Sequence, residues 1–244
     1  RGIVQKILLR INPGVEAHTH AFVQTATTDS KFGFSLQDGT AEKATAYVMQ
    51  KKNVQLDGYH CHIGSQIFEE ESFVLAVEKC MDFAVEMKEK LNFSLKTLNM
   101  GGGFGIWYTD EDKKIPPEGY AKYLEALLET VKRKADENGL ERPYILLEPG
   151  RSIIGEAGIT LYTVGAIKDI PGVKKYVAVD GGMFDNPRYA LYESKYTPIL
   201  ANRATEPCTE VVSIAGKCCE SGDILAVNIT VRDEAYGDHV YRYH

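Results

Sequence analysis

No run of five or six like charges occurs anywhere in the 244 residues, although acidic residues outnumber basic ones by 34 to 28 and leave a formal net charge of -6. A nucleic acid or an anionic membrane surface would call for a concentrated basic block, so neither partner is expected. No stretch approaches the roughly 20 apolar residues of a membrane helix, and the opening residues lack the apolar core and cleavage site of a secretion signal. The expected location is therefore cytoplasmic. The cysteines (Cys61, Cys80, Cys208, Cys218, Cys219) are odd in number and have no CxxC spacing, which argues against a disulfide framework or a thiolate metal knot and for reduced thiols. Internal repeats and low-complexity tracts are also lacking. Arg1 is not an initiator methionine and leads straight into a strand-like run, so an upstream part is expected. What remains is an ordinary globular composition, 44% hydrophobic and 25% charged, suited to small-molecule chemistry.

The first two thirds alternate short apolar runs with long amphipathic segments, the signature of βα units around a parallel sheet. Strands are expected at Lys6 to Ile11, Gln55 to His62, Leu95 to Met100 and Tyr144 to Glu148, with helices near 41–52, 70–90 and 117–138. In the second helix Phe73, Val77, Cys80, Ala84, Met87 and Leu91 recur at steps of three and four and predict one buried stripe. In the third the expected stripe is Tyr120, Leu124, Leu127, Leu128 and Val131, behind Pro116 and Pro117 at its start. After Gly158 the pattern turns to short β-branched stretches broken by glycine, proline and aspartate, which predicts a mostly antiparallel β domain. The expected division is 1–157 for the βα part and 158–244 for the β domain.

All four strands of the βα part end in residues unusual for packing, and in a parallel βα barrel those ends share one face. The third strand runs into Gly101, Gly102, Gly103, Phe104 and Gly105. Such a cluster is either a flexible turn or a set of backbone N–H groups that closes around a single phosphate. The fourth ends in Glu148, Pro149, Gly150 and Arg151. A carboxylate there needs a partner, either Arg151 itself or a protonated ring nitrogen. The second delivers His60 and His62 on one face of the strand. Together with His18 and His20 they could bind zinc, or His60 could be a hydrogen-bonded core residue while His62, beside Gly64 and Ser65, lies against a flat ring. In the β domain, Cys218, Cys219, Glu220, Ser221, Gly222 and Asp223 join thiols to carboxylates. Two adjacent cysteines can be a buried and an exposed bystander, or one can transfer a proton near neutral pH.

Taken in order, RINPG (Arg10 to Gly14), DSKFG (Asp29 to Gly33), HIGSQ (His62 to Gln66), GGGFG (Gly101 to Gly105), EPGRS (Glu148 to Ser152), DNPRYALY (Asp185 to Tyr192) and CCESGD (Cys218 to Asp223) resemble the diaminopimelate decarboxylase family across nearly the whole chain. The resemblance implies pyridoxal 5'-phosphate as cofactor and the C-terminal half of a (β/α)8 barrel followed by the β domain. It also implies a homodimer with active sites at the interface, an amino-acid substrate, and no metal. By matching position, His62 would stack on the pyridine ring. Ser65, Gly101, Gly102, Gly103 and Gly150 would help hold the cofactor, and Glu148 would meet its ring nitrogen. Arg151 would lie at the phosphate and substrate end. Arg188, Tyr192 and Glu220 would bind the substrate's distal groups, and Cys219 would protonate the carbanion across the dimer interface.

The family's cofactor lysine has no counterpart here, because Lys31 belongs to DSKFG, and the chain ends at YRYH before the family's tyrosine-bearing motif, with Tyr236 in the wrong place to supply it. Ala26 and Tyr189 stand where the family usually has glycine and proline. Two other readings of the same residues are a related decarboxylase for arginine, ornithine or carboxynorspermidine, and a fragment that binds phosphate without turnover. A metal-dependent hydrolase built on His18, His20, His60 and His62 would leave GGGFG, EPGR and CCESGD without a role.

Overall fold

The computed structural model describes residues 2–15, 30–109 and 111–231, together with the backbone of 239–243. His18, His20, Ala26, Asp29 and Tyr236 lie outside the described residues. The chain separates into two compact units, one of Arg1–Ile106 with Lys113–Ile153 and the other of Trp107–Asp112 with Ile154–His244.

The first unit runs β1 (Gln5–Asn12), β2 (Phe34–Ser35), α1 (Thr40–Met49), β3 (Val54–His60), α2 (Glu70–Leu91), β4 (Thr97–Asn99), α3 (Pro117–Glu137), β5 (Tyr144–Leu146) and α4 (Arg151–Ile154). Its sheet is parallel throughout, in the order β2-β1-β3-β4-β5. Parallel neighbours need crossovers, and α1, α2 and α3 supply them. The stripe foreseen on α2 is buried from Phe73 through Met87, with Leu91 packed at its rim. Glu70 and Glu71 in its first turn and Lys88 and Lys90 in its last suit the helix dipole. Asn92, at φ 53, closes the helix, its N–H donating to Lys88 O at 3.0 Å while Phe93 N–H donates to Met87 O at 3.2 Å. Phe73 is 1% exposed and stacks on Phe104 at 4.7 Å, so its truncation to alanine should cost about 3–5 kcal/mol.

α3 begins at Pro117, where a missing N–H costs nothing. Its buried face is Tyr123, Leu127, Thr130, Val131 and Ala135, a cleaner step of four than expected. Leu128 is 50% exposed, because successive residues sit about 100° apart and Leu127 already takes the inward direction. The short β2 was not foreseen. β4 and β5 are shorter than predicted, because Met100 and Leu147 onward leave the ladder to build loops.

The second unit runs β6 (Ile159–Ile170), β7 (Lys174–Val179), α5 (Arg188–Tyr192), β8 (Pro198–Leu200), β9 (Glu210–Ala215), β10 (Ile224–Val231) and β11 (His239–Tyr243), with sheet order β10-β9-β7-β6-β11-β8. Its core gathers Tyr162, Val164, Val177, Val179, Leu200, Val212, Ile214 and Leu225. Four of its five pairings are antiparallel, as expected, but β7 and β9 run parallel. The long connection through α5 and β8 brings the chain back in the same direction.

Candidate functional site

The sheet register of the first unit sets Arg10 beside His60 and His60 beside Asn99. Three parallel strands therefore end side by side, and the residues that follow them form one cluster. Asn99, 8% exposed, is its tie: Nδ2 donates to Glu148 Oε1 at 2.7 Å, and Oδ1 accepts Gly101 N–H at 2.8 Å. Glu148 N–H donates in turn to Gly101 O at 2.7 Å, and Cys61 N–H to Asn99 O at 2.8 Å. His60 Nε2 lies 3.8 Å from Glu148 Oε1 and is buried without a hydrogen-bond partner.

His62 rests on the glycine loop. Its Nδ1 accepts Gly102 N–H at 3.3 Å, which assigns the ring proton to Nε2. Burial, then the positive charge of Arg10, pushes its pKa below the ordinary histidine value, so it is neutral at neutral pH. His60 is likewise pushed down by burial, against the opposing pull of Glu148.

The glycines are steric necessities. Gly101 and Gly103 have φ of +67 and +98, and a Cβ on Gly101 would come within 2.9 Å of His62 Nδ1. A Cβ on Gly102 would lie 2.2 Å from Glu148 O. Two of the three N–H groups expected to face an anion point inward instead: Gly101 to Asn99, and Gly102 to His62. The Ser65 hydroxyl and the Arg151 guanidinium are hydrogen-bonded to each other. Gly150, beside Arg151, opens onto free space.

The second unit carries its own cluster. The Arg188 guanidinium lies between the rings of Tyr192 and Tyr108, at 5.4 and 5.7 Å from their centroids, and Nη2 donates to Ser194 Oγ at 3.3 Å. Its Nε is buried with no hydrogen-bond partner. Cys218, Cys219 and Glu220 are exposed on the turn joining β9 and β10. Glu220 Oε1 accepts Ser221 Oγ–H and Gly222 N–H, each at 3.3 Å.

Residues 2–155 match the family described as pyridoxal-dependent decarboxylase, pyridoxal binding domain. The chain belongs to the pyridoxal-dependent decarboxylases. It is 52% identical over 232 residues to a diaminopimelate decarboxylase of Bacillus subtilis (strain 168), covering 95% of this chain and 52% of that protein. It is 49% identical to one from Staphylococcus aureus (strain COL), covering 90% of this chain and 50% of that protein. The chain thus spans about half the length of the curated relatives it matches. Among solved structures, diaminopimelate decarboxylase from M. jannaschii in co-complex with L-lysine superposes with a TM-score of 0.84 at 35% identity, over 99% of this chain and 54% of that one. The fold is that of the later βα units of the barrel, followed by the β domain.

The first unit's donor set fits the family's cofactor. A neutral imidazole offers a flat face, Glu148 offers an oriented carboxylate to a basic ring nitrogen, and Ser65 with Arg151 offers a hydroxyl and a guanidinium to a phosphate. No three His, Cys, Asp or Glu among the described residues converge as metal ligands. No helix among the described residues is long and apolar enough to cross a membrane. Sequence reading missed Asn99 and the electrostatic part of Arg10. The only signal for Asn99 was a polar side chain placed between an apolar strand and a triple glycine.

Proposed function

We propose that the full-length protein carrying this chain decarboxylates meso-2,6-diaminopimelate to L-lysine with pyridoxal 5'-phosphate, the last step to lysine, as a cytoplasmic homodimer with shared active sites. The observation that carries this reading is the convergence of His62, Asn99, Glu148 and the Ser65–Arg151 pair at the ends of adjoining parallel strands. The sequence relatives and the lysine-bound structure support the choice of substrate.

The cofactor supplies an electron sink for the pair left behind when carbon dioxide departs. This chain's residues do the rest. Glu148, aimed by Asn99, would hold a proton on the cofactor's ring nitrogen, and neutral His62 would offer its flat face to the ring without adding charge. Ser65 and Arg151 would hold the phosphate. Arg188, stacked between two tyrosines with Nε unsatisfied, takes the substrate's distal carboxylate, while Tyr192 shapes that end and Glu220 meets the distal ammonium. Cys219, from the partner subunit in the proposed dimer, donates the proton that replaces the lost carboxylate.

The test gives the full-length protein pyridoxal phosphate and a panel of diaminopimelate, ornithine, arginine and carboxynorspermidine. Carbon dioxide and lysine are expected from diaminopimelate, with turnover of the other three at least 100-fold lower, because Arg188 would be left facing no carboxylate. Equal turnover of ornithine, or no retained cofactor after dialysis, would overturn the reading.

A further inference from the structure

The turn that carries Cys219 is held from beneath by a carboxylate to which the proposed chemistry gives no role. Asp223 is 2% exposed, a burial that a carboxylate tolerates when donors meet its oxygens. Its Oδ1 accepts Met183 N–H at 2.6 Å and its Oδ2 accepts Cys218 N–H at 2.7 Å. Its own backbone closes the turn, the carbonyl accepting Gly216 N–H at 2.8 Å and the N–H donating to Glu220 O at 3.0 Å. The space is cut to the side chain: a Cβ on Gly182 would lie 2.7 Å from Oδ2, and one on Gly216 only 2.2 Å.

β7 and β9 are parallel partners, so the turn after each leaves from the same edge of the sheet. Asp223 joins those two turns, reaching Met183 in one and Cys218 in the other. A second carboxylate, Asp185, braces the facing turn by accepting Gly182 N–H and Tyr162 O–H, both at 2.8 Å. Lys217 N–H adds a direct backbone link to Gly181 O at 3.1 Å.

We propose that Asp223 is a positioning residue, whose buried carboxylate sets the backbone of the Cys218–Cys219–Glu220 turn and silences Cys218 as a nucleophile, leaving Cys219 as the turn's reactive thiol. The reactive form of cysteine is the thiolate, and a fixed neighbouring anion opposes its formation. Partial desolvation, then the hydrogen bond to Asp223 and its charge, pushes the Cys218 thiol up; Asp185 acts in the same direction, and Lys217 opposes them. Adjacent thiols on one exposed turn are thereby made unequal. The inference rests on the proposed function only for what Cys219 does with its proton.

The test uses the full-length protein carrying Cys208→Ser, which removes the third exposed thiol of this chain, Cys61 and Cys80 being buried. Iodoacetamide labelling is followed at each cysteine by peptide mass spectrometry across the thiol titration range. Cys218 should label more slowly than Cys219, with a half-point above the ~8.5 of an ordinary thiol. Asp223→Asn keeps the side chain's volume and removes its charge. It should speed Cys218 labelling severalfold at neutral pH, because loss of the neighbouring anion favours the thiolate. It should also lower kcat with KM and bound cofactor unchanged. Equal labelling of the two cysteines in the parent, or an Asp223→Asn rate for Cys218 within twofold of the parent, would overturn the proposal. If Asp223→Asn fails to fold, the parent's two labelling profiles still decide, and Gly182→Ala, which crowds the same carboxylate, should shift them in the same direction. Labelling needs no turnover, so a protein that decarboxylates nothing still tests Asp223. Inactivity toward diaminopimelate with the expected labelling pattern counts against the proposed function alone.

Discussion

Asn99→Ala removes both side-chain hydrogen bonds by which Asn99 links the glycine loop to the Glu148 carboxylate, and leaves the backbone bond from Glu148 N–H to Gly101 O in place. The Gly101 N–H is buried and loses its acceptor, which costs about 1–3 kcal/mol, because the desolvated donor finds no replacement. The bond to Glu148 adds about 0.5 kcal/mol at most, since the Glu148 side chain is 58% exposed and water takes over part of the role. A total of about 1–3.5 kcal/mol corresponds to roughly 5- to 370-fold faster exchange of the Gly101 amide. Hydrogen exchange read on the Leu98 to Phe104 segment of the full-length protein reports this locally. That matters because the chain's two units need not unfold together. Asn99→Asp separates the two bonds. One carboxylate oxygen still accepts Gly101 N–H, while the other faces Glu148 where an amide donor stood 2.7 Å away. Two anions at that distance share a proton. Exchange at Gly101 should therefore stay within threefold of the parent, while pyridoxal phosphate retention falls at alkaline pH and recovers on acidification. Equal acceleration by the alanine and aspartate variants, or no acceleration by alanine, would refute the assignment of Asn99 as the tie.

Arg188→Lys should raise KM for diaminopimelate by one to two orders of magnitude with a smaller change in kcat. An ammonium neither stacks between Tyr108 and Tyr192 nor presents a fork to a carboxylate, and an unchanged KM would remove Arg188 from the distal subsite. His60 and His62 both titrate lower in the folded protein than in the unfolded chain. Above a pH of about 6.5 both states are neutral and the histidines contribute nothing to the pH slope; below it the unfolded chain binds protons first and stability falls. Urea midpoints at pH 8 and pH 5 should therefore differ more in the parent than in His60→Gln, and identical differences would sink the assignment of the buried His60.

The helices of the first unit were legible because packing on a sheet writes a period into the sequence: Phe73, Val77, Cys80, Ala84 and Met87 announce their own face. Where two periods compete the pattern misleads, as at Leu128, because a list of leucines does not say which one the helix turns outward. The parallel meeting of β7 and β9 is invisible for a different reason. Pairing direction is decided by the route of the intervening chain, and neither strand's own residues encode it.

The site shows the same contrast more sharply. His62, Ser65, Glu148 and Arg151 stood out because they are chemically expensive at strand ends, but the triple glycine was legible only as an absence of side chains, and an absence has several causes. Flexibility, an outward row of N–H donors and a close approach of other backbone all call for glycine. The contacts of 2.2 Å and 2.9 Å that a Cβ would make with Glu148 O and His62 Nδ1 decide for the last at Gly102 and Gly101. Asn99 escaped notice because its partners are Gly101, two residues on, and Glu148, 49 residues on; one looks like a local turn and the other cannot be read from local pattern at all. Asp223 belongs to the same class, a buried acid whose meaning depends on Met183, 40 residues away. Residues that touch a ligand advertise themselves by their chemistry, whereas those that aim the touching residues are identified only by which distant backbone they hold.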